Sequence, residues 1–219
     1  MQVGVISDVH GNKVALDAVM ADMPDVDALL CAGDVVGYNP WHAECIEAVR
    51  DRGIPTVMGN HDRAVATGTA FRFNEMAAAA VRHAEEQLTD EQRQWLSELP
   101  DERPELDDRV KVVHGHPEDP DRYTYPQEFG PHMLGDEDAL IMGHTHVQGH
   151  ETYRSGVVMN PGSVGQPRDG DPRAAYSVLD LDESTVDERR VEYDVERVQR
   201  AVREADLPAR IGDRLSEGR

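Results

Sequence analysis

The sequence predicts an α/β protein whose strands are mostly parallel. Short apolar runs rich in β-formers recur along the first two thirds of the chain, and segments with helical spacing separate the first three of them. Strands that alternate with helices build βαβ units, and their crossovers require parallel pairing. The third observation is that every apolar run stops at glycine or at a polar residue, which marks a strand end rather than a longer buried helix.

Taken in order, "VGVIS" (Val3–Ser7) is the first strand, followed by Val14, Leu16, Ala18 and Val19 at helical spacing. "ALLCA" (Ala28–Ala32) is the second strand, and Ala43, Ile46, Ala48 and Val49 mark the next helix. "IPTVM" (Ile54–Met58) reads as a third buried strand. Residues 74–99 carry a helical hairpin, broken at "LTDEQ", where Thr89 caps the second helix. "VKVV" (Val110–Val113) and "ALIM" (Ala139–Met142) are the fourth and fifth strands, and residues 117–138 between them read as loop with short helix. Beyond His146 the runs "GVVMN", "AAYSVLDLD" and "VDERRVEYDV" predict an antiparallel second sheet. The tail from about Glu196 is charged, with a helical start and a frayed end expected.

The 219 residues suit one domain, which can bury roughly 70% of the surface of its unfolded chain. A run of about 18 apolar residues, the minimum for a membrane span, is missing, and Met1–Ser7 is too short for a signal peptide, so a cytoplasmic protein is expected. The two cysteines, Cys31 and Cys45, suggest neither a disulfide framework nor a thiolate zinc site. The formal charge is −21, and only Lys13 and Lys111 are lysines. Such a surface fits a high-salt setting, where self-repulsion is screened, and equally a generic acidic domain. It disfavours long nucleic-acid partners, which need Lys and Arg against phosphates. A homo-oligomer is compatible with this reading.

The strand ends carry the functional signal. After the first strand comes "DVH", after the second "GD", after the third "GNHD", after the fourth "HGH" and after the fifth "GHTH". In open α/β sheets ligands bind at the carboxyl ends of strands, so these ends deliver Asp8, His10, Asp34, Asn60, His114, His144 and His146 to one crevice. Two carboxylates, one amide oxygen and four imidazoles exceed the needs of one tetrahedral ion and suit two ions with a shared ligand. Each motif alone is weak: "DVH" also reads as a helix cap beside a surface histidine, and "GD" as a turn. Five in order after strands form a specific pattern.

The order D-x-H, GD, GNH, HG, GHTH resembles the calcineurin-like metallophosphoesterase superfamily over Val3 to about Tyr176. Its small prokaryotic phosphodiesterase-type branch is the nearest in pattern, given "SDVHGN", "GDVVGYNP" and "NPGSVGQPRDGDPRAAY". The resemblance implies a four-layer α/β/β/α sandwich with two mixed sheets and a dinuclear metal site at the strand C-terminal ends. By position, Asp8, His10, Asp34 and His146 would hold the first ion, and Asp34, Asn60, His114 and His144 the second. Mixed oxygen and imidazole donors favour Mn²⁺, Fe or Zn²⁺ over Mg²⁺ without choosing among them; two divalent ions are expected, Mn²⁺ first, with Fe, Zn²⁺ or Ni²⁺ as alternatives. Two such ions activate a bridging water and neutralise phosphoryl oxygens.

The resemblance also assigns His61, beside Asn60, to protonating the leaving oxygen or stabilising its charge. Protein serine/threonine phosphatases read GD-x-x-D-R, but Gly37 and Tyr38 stand at the last two positions here. Small phosphodiesters or nucleotides are therefore the expected substrates. Dinucleoside polyphosphates, or a non-catalytic scaffold of the same fold, are the alternatives. A metallo-β-lactamase-type site is rejected because "HTHVQGH" lacks that family's Asp-His pair. Asn12, His116 and Arg168 are candidate substrate contacts; for Arg168 and Arg173 the competing expectation is a salt bridge to Asp169 or Asp171.

Overall fold

The computed structural model describes residues 1–70 and 73–219. Its strands are β1 (Gln2–Ile6), β2 (Ala28–Cys31), β3 (Glu102–Glu105), β4 (Val110–Val113), β5 (Ala139–Ile141), β6 (Gly149–Tyr153), β7 (Gly156–Asn160), β8 (Ala174–Asp180) and β9 (Thr185–Val191). The helices are α1 (Lys13–Asp22), α2 (His42–Arg50), α3 (Asn60–Thr67), α4 (Glu75–Gln87), α5 (Asp90–Ser97), α6 (Val195–Glu204) and α7 (Arg210–Asp213).

Two mixed sheets pack face to face, in the orders β2-β1-β8-β9 and β3-β4-β5-β7-β6. The period-two alternation of the strands explains the layering. Val3 and Val5 of β1 face the second sheet, where they meet Val110, Val112, Ala139, Ile141, Val157 and Met159. Ile6 points the other way, into a core built with Leu16 of α1, Ile46 of α2, Val65 of α3, Val81 of α4 and Leu96 of α5. On the far side of the second sheet, Val113, Leu140, Met142 and Val158 are covered by Met133, Phe129 and Leu134. Short 3-10 helices at Pro126–Glu128 and Pro131–Met133 supply that fourth layer. Each fully buried Val, Leu, Ile or Met contributes about 1.5–3 kcal/mol over leaving it exposed.

The helical hairpin forms as expected. Thr89 accepts from Gln92 N, and the Gln92 side chain answers the Thr89 N–H, so two free helix-end donors are satisfied at the break.

Three expectations are corrected. Ile54–Met58 is not a strand: it makes a single parallel bridge, Cys31 to Thr56. Pro55 has no N–H to extend the ladder, and Met58 N turns away to Pro100 O at 2.7 Å. The late strands do not form a sheet of their own. β7 pairs parallel with β5, while β8 pairs antiparallel with β1 and is buried on both faces, which places it centrally in the first sheet. Nor is the tail frayed, because Val198, Val202, Leu207, Ile211 and Leu215 are buried in one cluster with Tyr38.

Candidate metal centre

The seven residues converge, and the backbones of five are bent to do so. Asp8, His10, Asp34, His144 and His146 all have positive φ, between 48° and 67°. Left-handed backbone costs an L-residue roughly 1–2 kcal/mol and persists only where the surroundings over-determine it. Here Asp8 N donates to Gly33 O and His10 N to Asp34 O, both at 2.9 Å, which locks the first loop onto the second.

Each carboxylate has one oxygen tied to the scaffold and one left for the crevice. Asp8 Oδ2 accepts from Ser7 Oγ at 2.7 Å and from His144 N at 3.1 Å, whereas the buried Oδ1 has no hydrogen-bond partner. Asp34 Oδ1 accepts from His61 N at 2.8 Å, and its Oδ2 lies 3.6 Å from His10 Nε2 and 3.4 Å from His114 Nε2. A Cβ on Gly59 would stand 2.0 Å from Asp34 Oδ1, so only glycine lets α3 begin there.

The histidine tautomers follow from their carbonyl partners. His10, His114 and His146 each point Nδ1 at a backbone carbonyl, Val36 O at 3.0 Å, Ala32 O at 2.7 Å and Gln166 O at 2.6 Å respectively. Their Nε2 atoms therefore offer lone pairs inward. His144 is turned round: Nε2 faces Asp121 O at 3.1 Å, and Nδ1 faces inward. The inward nitrogens of His10 and His146 then oppose one another without a proton between them, Nε2 to Nε2 at 3.0 Å, while His144 Nδ1 stands 3.1 Å from His114 Nε2. Opposed lone pairs repel unless a cation lies within reach of both, and carbonyl-anchored imidazoles are the usual supports of metal ligands.

Two groups of donors result, Asp8, His10, Asp34 and His146, and Asp34, His114 and His144, each within 4.8 Å. Asn60 Oδ1 joins the second, 3.2 Å from His114 Nε2. The residues thus fit two cations sharing Asp34. Burial would push both carboxyls up, but His146 beside Asp8 and His114 beside Asp34 hold them below the usual carboxylate range. For His114 burial is likewise outweighed: Asp34 pushes it up to about 10, so without a metal a proton supplies the missing positive charge.

His61 sits on the first turn of α3, with its ring centroid 4.8 Å from His10, 4.8 Å from Tyr38 and 4.6 Å from Phe73. This aromatic packing orients it, since its buried Nδ1 has no hydrogen-bond partner. Burial lowers its pKa to about 4, so the ring is neutral at neutral pH. Asp62 does not orient it; its oxygens accept from Val36 N and Gly59 N, both at 3.1 Å. Gly37 has φ +101°, and a Cβ there would stand 2.5 Å from His61 Nδ1. Gly37→Ala should therefore displace the ring, lowering kcat by about 10²-fold while leaving metal content near wild type. Steady-state kinetics with elemental analysis of the same preparation checks this.

The remaining candidates divide. Asn12 is fully buried and spent on the fold, accepting from Ala15 N at 3.1 Å as the α1 cap and donating to Gly165 O at 3.0 Å. His116 lines a separate cavity of about 170 Å³ with Glu118, Arg122 and His132. Arg173 pairs with Asp171, as the salt-bridge expectation had it. Arg168 does not: it donates to Tyr38 Oη at 3.2 Å and Gln166 Oε1 at 2.8 Å. A cavity of about 470 Å³ opens at the second donor group, lined by Asn60 and His144 and by Ala64, Arg63, Phe73 and Tyr123.

Sequence reasoning passed over the supports: Asn160, which donates to Gly143 O at 2.6 Å and Thr145 Oγ1 at 3.0 Å, and Ser163, which donates to Asp8 O at 2.7 Å. Both lie in "NPGS", an apolar strand that stops at Asn, Pro and Gly like the others.

A two-sheet sandwich with paired Asp/His groups at its strand ends defines a metal-binding phosphoesterase architecture. The chain belongs to the calcineurin-like phosphoesterase superfamily, whose domain model matches residues 1–184. The crystal structure of a metallophosphoesterase from Sphaerobacter thermophilus superposes with a TM-score of 0.87 at 36% identity, covering 100% of this chain and 99% of that one. An uncharacterized protein of Methanocaldococcus jannaschii is 32% identical over 99% of this chain and 98% of its own. The phosphodiesterase YfcE of Escherichia coli is 29% identical over 83% of this chain and 89% of its own. Among the described residues, no helix is long and apolar enough to cross a membrane.

Proposed function

We propose that the chain is a dinuclear metal-dependent phosphodiesterase acting on small phosphodiesters or nucleotides. The observation that carries this reading is Asp34 Oδ2, which lies within 3.6 Å of a histidine from each of the two donor groups. Asp8, His10, Asp34 and His146 would hold one divalent ion and Asp34, Asn60, His114 and His144 the other, with Mn²⁺ the first candidate. When bound, the ions lower the pKa of a water and neutralise phosphoryl oxygens.

The protein's own groups do the rest. His61, beside Asn60, donates a hydrogen bond from its neutral ring to the leaving oxygen and stabilises the charge that develops there. Arg168, hydrogen-bonded to Tyr38 Oη, presents a guanidinium to the substrate's phosphoryl oxygens. The 470 Å³ cavity takes the organic substituent, with Phe73 and Tyr123 as its aromatic walls.

Gly37 and Tyr38, at positions where protein phosphatases carry Asp and Arg, favour small diesters over phosphoproteins. With Mn²⁺ supplied, bis(4-nitrophenyl) phosphate should be hydrolysed at least about tenfold faster than a phosphoserine peptide, measured as kcat/KM. Rapid turnover of the peptide with the diester left intact would overturn the preference, and turnover of neither would favour a scaffold.

A further inference from the structure

Acidic residues outnumber basic ones 43 to 22, so most arginines find counterions. Arg63 pairs with Asp121 at 2.7 Å, Arg109 with Asp138 at 2.6 Å, and Arg203 with Asp213 at 3.3 Å. Among the described residues, Arg168 and Arg214 belong to those that do not, and unlike the others they are not exposed. Both are half-buried, and neither has a carboxylate partner among the described residues. Each has given up part of its hydration without a neutralising charge, an arrangement suited to a bound anion. Burial, with Arg168 adding to it, holds the Arg214 guanidinium below the usual arginine range, as expected of like charges held near one another.

Tyr38 joins the two arginines to the metal centre. Its hydroxyl accepts from Arg168, and it is buried in one cluster with Ile211 and Leu215, which flank Arg214 in the tail. The same ring stands 4.8 Å from those of His10 and His61. Tyr38 keeps this place with φ 53°, a left-handed conformation unusual for an aromatic residue. The tail is also clasped to the loop carrying Arg168, because Gly170 N donates to Gly218 O at 3.0 Å. Beside Arg214 an open groove of about 570 Å³ is lined by Asn74, Arg210, Arg219, Asp213 and Glu217. Its two acids are already engaged, Asp213 with Arg203 and Glu217 with Arg219.

We propose that Arg168 and Arg214, braced by Tyr38, form an anion subsite beside the metal centre that takes a second phosphoryl group of the substrate. The proposal rests on the phosphoesterase reading and narrows it to substrates carrying more than one phosphoryl group. Guanidinium forks match phosphoryl oxygens two at a time, and a second phosphoryl group is the anion that a phosphate-ester substrate can itself bring to the rim.

Calorimetry on the Mn²⁺-loaded protein separates this subsite from turnover. The probes are adenosine 5′-monophosphate and the non-hydrolysable adenosine 5′-(α,β-methylene)diphosphate, with Mn²⁺ in excess of both. Wild-type protein should bind the diphosphate analogue about tenfold or more tightly than the monophosphate, the size of one charge-assisted hydrogen bond. In Arg214→Gln and in Arg168→Gln that advantage should shrink to within about twofold, while Arg214→Lys, which keeps the charge, should retain part of it. Because the readout is a ratio of two affinities on one preparation, a general loss of metal or fold does not imitate it. No advantage in the wild type, or an undiminished advantage in both glutamine variants, would overturn the subsite. If the ratios behave as expected but no ester is hydrolysed, the phosphoesterase reading fails and the subsite stands.

Discussion

Asp34→Asn is expected to abolish binding at both metal positions together and to lower kcat by about 10³-fold or more. The variant keeps the shape of the side chain, and its amide oxygen can still accept from His61 N, the 2.8 Å bond that seats the start of α3. What it removes is the charge on Oδ2, the atom that approaches both His10 and His114. Metal ions supply several kcal/mol of transition-state stabilisation, and each 1.36 kcal/mol is a factor of ten in rate. Asp8→Asn touches only the first group, so it should weaken one ion and spare the other. The comparison of the two variants by metal titration and steady-state kinetics is the check: equal, single-site losses in both would show that Asp34 is not shared.

His61→Ala is expected to do the opposite, keeping the ions and losing the chemistry. Its imidazole packs between Tyr38, Phe73 and His10 but coordinates nothing in either donor group. A positioned acid or donor contributes roughly 10²–10⁴-fold, so kcat should fall by that factor with metal content near wild type. The loss should be greatest for an alkyl ester, whose leaving alkoxide needs a proton, and smaller for a nitrophenyl ester, whose leaving group departs as a stable anion. Equal losses for both leaving groups would assign His61 to holding phosphate instead. Loss of an ion would make it a ligand.

Much of the site could be read from the chain because each short motif combines two signals. An apolar run such as "VGVI" sets a strand, and the Asp or His that ends it is delivered to the strand's carboxyl end. Position along the sheet then gathers six of the seven donors without knowledge of any helix; Asn60 follows a run that is not a strand and is the first residue of α3. What could not be read depends on partners far away in sequence. β8 looks like any apolar strand, and nothing in "AAYSVLD" says that it inserts beside β1. The third apolar run failed for a local reason, since Pro55 breaks the ladder that its β-rich neighbours would extend.

In the tail, charge masks the packing pattern. Its buried positions, Val198 and Val202, then Leu207, Ile211 and Leu215, recur every four residues, and that spacing was visible beneath the arginines and glutamates. Tyr38 and Arg168 illustrate the same limit: the departure from the phosphatase pattern at Tyr38 was legible, but its contact with Arg168, 130 residues on, was not.

The central claim is that the strand ends build two cation sites sharing one carboxylate. Elemental analysis of protein loaded with Mn²⁺ and freed of excess metal tests it most directly. The account predicts a value approaching two ions per chain, falling toward zero in Asp34→Asn. A value of one or less, with no second weaker site in a calorimetric titration, would contradict it.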